Sequence, residues 1–492
     1  MIETGWLSIL PPILAITLAL ITKEVYSSLF VGIFSGMLIY SFFGGGSVIS
    51  AVAMTFDMMS AKISDNSYMI IFLALLWAVV MLVSKSGGSM AYGRWAGKKL
   101  KSRRSALLAT SFLGVLIFID DGFNCLTVGT VMRPITDRLK ISREKLAYII
   151  DATAAPVCII APVSSWAVAV ASEVNEKNGF NMFLSTIPYN FYALLTIIMV
   201  LFICLSGKDF GPMKKAEERA MAEESPETKT EDTQETKGHV IDLVLPILVL
   251  IICAILGMAY VGGFFAGTSF SEAIGYNPTA GLSLGAFAGL VTAMLLYLPR
   301  KLMSPKEFIE TIVSGIGSIV PPMLILILSW SLGGVCRQLI GTGIFISGFV
   351  SSSNMPLYLL PVIIFIIAAL MSFSMGTSWG TFGMLIPIVA MICEAEGAAV
   401  YLIPALGATL AGSVYGDHCS PMSDTTILAS TGAECEHIKH VGTQLPYATM
   451  VAVVCAVGYL IAGIMLSPWI ALLIEVVLLV TAIFVLNRSK QA

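Results

Sequence analysis

The chain reads as an all-α polytopic membrane protein. The reading has about 11 spanning helices in two inverted-topology repeats, each with a re-entrant hairpin and a discontinuous helix. Three observations predict this class. Of 492 residues, 57% are hydrophobic and only 12% charged, with a mean hydropathy of +0.88. Apolar runs long enough to cross about 30 Å of hydrocarbon recur throughout. Short polar clusters interrupt some of those runs, and the basic residues gather in short loops.

Apolar spans read at 6–22, 25–43, 67–86, 147–171 and 188–206 in the first half. The run at 6–22 lacks a basic leader and a cleavage site, so it reads as a retained helix. A polar, Glu- and Thr-rich stretch at 208–239 reads as a flexible linker on the cytoplasmic side. Spans resume at 241–262, 278–298, 312–336, 399–430 and 446–466, with an additional C-terminal span at 468–486. The 43 glycines and 21 prolines would be awkward in soluble helices but are tolerated in membrane ones.

Two regions resist assignment as single spans. Residues 105–133 are apolar arms around Asp120-Asp121, and 357–392 are arms around Gly376-Thr377-Ser378-Trp379-Gly380. Both read as hairpins that return to the side they entered, with the polar turn at depth. Such a turn persists only where protein buries it or it lines a cavity. The basic residues test this threading. With both hairpins re-entrant, all 28 Lys and Arg except Lys62, Lys177 and Arg337 fall on one side. That side is the cytoplasm of a bacterial inner membrane; the N-terminus is outside, and the linker and C-terminus are inside.

The halves also resemble each other. Leu10-Pro11-Pro12-Ile13-Leu14 has a counterpart in Leu245-Pro246-Ile247-Leu248, Trp77 in Trp330, and Ala161-Pro162-Val163-Ser164-Ser165 in Ser420-Pro421-Met422-Ser423-Asp424. Residues 1–207 and 240–466 then form two units of five crossings each. An odd number turns the second unit upside down, the usual design for alternating access.

A net charge of −3 gives no ground for a nucleic-acid partner. The nine cysteines form no CxxC pair and read as buried small hydrophobes. No nucleotide-binding loop, cofactor motif or nucleophile–base arrangement stands out, so neither an enzyme nor an ATP-driven pump is indicated. The partners are the lipid bilayer and small solutes, and no oligomeric state is read from the sequence.

The polar breaks carry the chemistry. Asp120, Asp121, Asn124 and Thr127 offer carboxylate, amide and hydroxyl oxygens, a set that suits a hard cation. The plainer alternative is that one aspartate caps the following arm and the other pairs with Arg133. Asp151, Ser164 and Ser165 flank a span broken by Pro156 and Pro162, which free backbone carbonyls. Asp151 reads equally as an ion-path acid or as a surface-pairing acid near Lys145.

Asp417, Ser420, Ser423, Thr425 and Asp424 surround the break at Gly416 and Pro421. Asp417 and Asp424 could approach from two half-helices and share a proton, with sodium competing for the same seat. The Na+ ligands are then Asp120, Asp121, Asp417 and Asp424. His418 reads as a neutral imidazole orienting Asp417, with a proton carrier as the alternative. His437-x-x-His440 lies in a loop without further ligands, which argues against a metal site. Gly376, Thr377 and Ser378 bring hydroxyls and close backbone approach without an acid, a turn that would favour an anion.

Four signatures together resemble the NhaC-type sodium/proton antiporter family. They are Asp120-Asp121-Gly122-Phe123-Asn124 running on to Arg133-Pro134, Ala161-Pro162-Val163-Ser164-Ser165-Trp166, Gly376-Thr377-Ser378-Trp379-Gly380-Thr381, and Gly416-Asp417-His418-Cys419-Ser420-Pro421-Met422-Ser423-Asp424-Thr425-Thr426. The pattern departs from the family at Gly122, where an aromatic is usual. The resemblance implies an inner-membrane secondary carrier exporting Na+ in exchange for H+, without a bound cofactor. Some relatives couple ions to organic acids such as malate and lactate, so a small organic anion is the alternative second substrate.

Overall fold

The computed structural model describes residue 2 and residues 4–22, 24–174, 179–222, 238–352, 356–395 and 397–488. Lys23, Lys177 and Lys490, used in the charge argument, lie outside them, as do linker residues 223–237. Regular structure among the described residues is entirely helical, and 11 helices are long and apolar enough to cross a membrane.

The first half opens with α1 (Leu10–Thr22) and α2 (Val25–Phe43), which pack together. Next come α3 (Val48–Asp65), α4 (Ser67–Lys85) and α5 (Gly88–Lys99). The sequence reading passed over α3, because Asp57, Lys62 and Asp65 break its apolar run. The first hairpin is α6 (Arg103–Leu116) and α7 (Asp121–Arg138), opened by a Ser102–Ser105 capping box. The 14 residues of α6 rise only about 21 Å. That is short of the roughly 30 Å of hydrocarbon that a spanning helix crosses.

The stretch 147–171 lies in three pieces: α8 (Arg143–Ala152), α9 (Ala155–Cys158) and α10 (Ser165–Glu173). Pro156 cannot donate within a continuous helix, and Ser164 restarts the helix by capping Ala167 N at 3.1 Å. Then follow α11 (Gly179–Thr186) and α12 (Phe191–Ser206). The expected linker does not begin at 208 as free chain. Residues Gly211–Ala222 form α13, docked by buried Glu217, which bonds Arg103 and accepts Ser142 N at 2.7 Å. Lys145 completes that anchor at 2.7 Å from Asp209.

The second half runs through α14 (Val240–Val261), α15 (Phe270–Tyr276), α16 (Pro278–Tyr297), α17 (Pro305–Gly334) and α18 (Thr342–Ser352). Its hairpin is α19 (Leu360–Met375) and α20 (Ser378–Ile392), and its broken span is α21 (Leu402–Cys419) and α22 (Asp424–Gly432). The chain closes with α23 (His437–Met465) and α24 (Pro468–Arg488). The span expected at 446–466 therefore starts at His437, and His437-x-x-His440 is helical rather than a loop.

Contacts between the halves are reciprocal. Helix α2 packs on α17 and α16 on α4, while α7 packs on α22 and α10 on α20. Each half thus lends its second span to the third span of the other. Within the second half, α21 lies unusually close to α19. A Cβ at Gly412 or Gly416 would stand 2.5 Å from Phe365 O or 2.3 Å from Ala369 O. This small-residue seam brings the end of α21 against the turn of the second hairpin.

Candidate functional site

At the first turn, Asp120 is the N-cap of α7, its Oδ1 accepting Phe123 N at 2.8 Å. The capping role foreseen as an alternative is therefore realised for Asp120. Asp121 follows in the first helical turn, also buried. Asn124 holds the turn in place: its amide faces Gly114 O at 2.6 Å, Ile117 O at 3.1 Å and Thr153 O at 3.2 Å. Hairpin and first break are thereby joined, while Asn124 Oδ1 has no hydrogen-bond donor among the described residues. Ser165 adds a second join, its backbone N donating to Ile119 O at 3.2 Å and its hydroxyl at 3.4 Å. Ser164 is spent on local structure, donating to Cys158 O and Ala161 O. Thr127 is buried nearby on α7.

At the second turn, Gly376 adopts φ +67°, and Thr377 caps α20 by accepting Gly380 N at 3.3 Å. Ser378 donates 3.0 Å to Asp417 Oδ2 and also lies 3.1 Å from Ser413 O. Asp417 is buried, and the Thr425 hydroxyl reaches the same Oδ2 at 3.4 Å. Asp417 Oδ1 has no protein donor among the described residues. Ser423 caps α22 and contacts Thr425 at 3.0 Å, and Ser420 is buried beside it, accepting Met422 N. Asp417 lies within electrostatic reach of Asp121 and Asp151. Across the centre, Trp166 of α10 meets Trp379 of α20 edge-on at 5.8 Å.

Asp424 does not join Asp417. It is the first residue of α22 and its side chain is exposed, whereas Asp417 is buried at the end of α21. The proton-sharing pair expected of the two is not formed here, because the break separates them into different environments.

Asp151 is not a surface acid. It is fully buried, and its Oδ2 receives Gln444 Nε2 at 2.7 Å, the Thr426 hydroxyl at 3.2 Å and His440 Nε2 at 3.3 Å. His418 Nε2 faces Asp151 O at 3.0 Å, and its Nδ1 faces the Tyr192 hydroxyl at 3.1 Å. Facing a carbonyl, Nε2 donates, and the Tyr192 hydroxyl can donate to Nδ1, so a neutral imidazole satisfies both ring nitrogens of His418. Gln444 is absent from the sequence reading, and His440 appears there only as half of a rejected metal pair, not as a partner of Asp151. Their signal was a four-residue spacing on one face of a helix that starts earlier than the apolar run. Glu173 is absent too; it ends α10, is buried, and accepts the Ser329 hydroxyl at 3.2 Å.

The helix ends sort these acids. Asp120, Asp121 and Asp424 sit at helix N-termini, where the macrodipole favours an anion. Asp151 and Asp417 lie at the C-terminal ends of α8 and α21, where it disfavours one. A carboxylate buried at that end calls for donors, a proton or a cation.

Residues 166–464 match the Na+/H+ antiporter family. The chain belongs to that family. It is 39% identical to an uncharacterized protein of Haemophilus influenzae, over 98% of this chain and 95% of the relative. It is 34% identical to the malate-2H(+)/Na(+)-lactate antiporter of Bacillus subtilis, over 37% of this chain and 38% of that one. In fold it is similar to the YdaH transporter of Alcanivorax borkumensis, with a TM-score of 0.58 at 12% identity, covering 84% and 88% of the two chains. As a member of the Na+/H+ antiporter family, the protein is a multi-pass secondary active transporter and not an enzyme. Its partners are monovalent cations, protons and the lipid bilayer.

Proposed function

We propose that this protein exports Na+ in exchange for H+ through a site centred on Asp417. The observation that carries the reading is the oxygen set at the second break. A buried carboxylate meets hydroxyls of Ser378 and Thr425 on Oδ2 while its Oδ1 has no protein donor. Asp121 and Asn124 Oδ1 supply the oxygens of the facing turn, with Asp120 holding that turn as a cap. Charged and neutral oxygens in this ratio fit a small hard monovalent cation. A cation bound at Asp417 removes the cost of a buried anion, so the loaded site can reorient and the empty one is held back.

The two halves act as inverted repeats, a reading supported by their reciprocal packing and by the matching places of Asp151 and Asp417. The positive-inside distribution puts the N-terminus outside and α13 in the cytoplasm of a bacterial inner membrane. Addition of Na+ to everted vesicles holding a pH gradient should collapse that gradient. A gradient that responds to an organic acid and not to Na+ would sink the reading.

A second reading, exchange of a small organic anion, is favoured by the similarity to the malate-2H(+)/Na(+)-lactate antiporter. The second turn gives it less support than the sequence suggested, because the Thr377 and Ser378 hydroxyls are engaged by Gly380 N and Asp417. Radiolabelled malate or lactate counterflow in proteoliposomes separates the two readings.

A further inference from the structure

The donors on buried Asp151 are distinct from those on Asp417. We propose that the Asp151–His440 pair seats the transported proton, and that α22 couples this seat to the cation site. The inference rests on the Na+/H+ exchange reading and adds where the proton is held.

Three histidines surround the second break, and their hydrogen bonds differ. His418 has both ring nitrogens engaged, by Asp151 O and Tyr192. His437 is likewise engaged, with Nε2 at 2.7 Å from Pro421 O and Nδ1 at 3.2 Å from the Ser430 hydroxyl. His440 directs Nε2 to Asp151 Oδ2, while its buried Nδ1 has no hydrogen-bond partner among the described residues. With Nε2–H donating to the carboxylate, Nδ1 keeps a bare lone pair. A proton arriving there forms one N–H bond and turns the pair into imidazolium and carboxylate. It leaves from the same nitrogen, so no other bond changes.

Access and coupling follow from position. His440 lies in the first turn of α23, directly after the exposed Lys439, so the path from the surface is short. The adjacent hydroxyls of Thr425 and Thr426 bind different carboxylates, Asp417 at 3.4 Å and Asp151 at 3.2 Å. Any movement of the first turn of α22 that follows cation binding at Asp417 therefore also changes the donors on Asp151.

The titratable groups facing His440 are Asp151 from α8 and His418 from α21. Asp417 and Cys419 of α21, Cys125 of α7 and Tyr148 of α8 lie within electrostatic reach of Asp151. Helix α12 contributes Tyr192 through His418, and α22 only the Thr426 hydroxyl. Glu144 and Arg219 of α8 and α13, near Lys439, bind each other at 3.3 Å.

The test uses the full chain in proteoliposomes and reads two activities. One is Na+/Na+ counterflow at equal pH, which needs no proton; the other is 22Na+ uptake driven by a pH gradient. His440→Gln keeps an amide donor for Asp151 but cannot titrate. Counterflow should stay within about twofold of wild type, while gradient-driven uptake falls at least about tenfold. His440→Asn serves as a second variant with a shorter amide. Retained gradient-driven uptake in either variant, or equal loss of both activities in both, overturns the proposal. If the wild type shows no Na+ counterflow, it is the sodium reading that fails instead.

Discussion

Asp151 and Asp417 occupy matching places, each within the last three residues of the first half of a broken span. Both are buried, and both face the unfavourable end of a helix dipole. Their partners differ in kind. Asp417 meets only hydroxyls, weak donors that an incoming cation can join or displace. Asp151 meets an amide, a hydroxyl and an imidazole drawn from α22 and α23. Oxygen neighbours suit a hard cation, and a titratable nitrogen suits a proton. In the proposed scheme these matching places hold different ligands, the cation at Asp417 and the proton at Asp151.

The largest expected effect breaks that comparison directly. Asp417→Asn removes the charge at the oxygen site, so counterflow and gradient-driven exchange should both fall by at least about tenfold. Asp151→Asn should depress gradient-driven exchange more than counterflow. Assays of the two variants in the same vesicles decide it. Identical losses in both assays would erase the division of labour between the carboxylates.

The two hairpin turns differ in a comparable way. At Gly376, φ is +67° and a Cβ would stand 2.8 Å from the Met422 backbone. At Gly122 a Cβ would meet Leu428 at 3.4 Å and Asp120 Oδ1 at 3.5 Å, ordinary contacts. Gly376→Ala should therefore destabilise by about 1–3 kcal/mol through strain and overlap. Gly122→Ala should remain within about 0.5 kcal/mol of wild type. Melting curves in detergent compare them, and a Gly122 variant as unstable as the Gly376 one would show that the first turn is equally tight.

Much of this arrangement was legible in the sequence, for a physical reason. Acids and prolines inside apolar runs are conspicuous, so the breaks near Asp120 and Asp417 announced themselves. The apolar stretches around Asp120-Asp121 and around Gly376 to Gly380 could not each be threaded as one span without spoiling the charge distribution. Where polarity was gradual, the reading faltered. Helix α3 has too many charges to look like a span, and α13 looks like solvated linker until Glu217 finds Arg103 and Lys145. The Asp151 cluster was hidden for a different reason. Its members at 151, 418, 426, 440 and 444 come from four helices, and no local pattern says that they meet.

A smaller effect tests the division among the acids of the first turn. Asn caps a helix about as well as Asp, whereas Ala does not. Asp120→Asn should therefore keep stability and retain exchange within about threefold, while Asp120→Ala should cost about 1 kcal/mol. Loss of transport in a stable Asp120→Asn protein would move Asp120 from cap to cation ligand.

The smallest effect is expected at Asp424, which the sequence alone pairs with Asp417. Its exposed side chain sits at the N-terminus of α22, where its charge contributes only a few tenths of a kcal/mol, up to about 1. Ser423 caps that helix independently, accepting Thr426 N at 3.3 Å. Asp424→Asn should therefore leave gradient-driven 22Na+ uptake within about twofold of wild type. A shared proton predicts the opposite, since removing either member of such a pair abolishes the seat. Uptake measured for the Asp417 and Asp424 variants under one pH gradient separates the cases. If they fail together, the two carboxylates must come together in another conformation of the cycle, with α22 swinging Asp424 inward to meet Asp417.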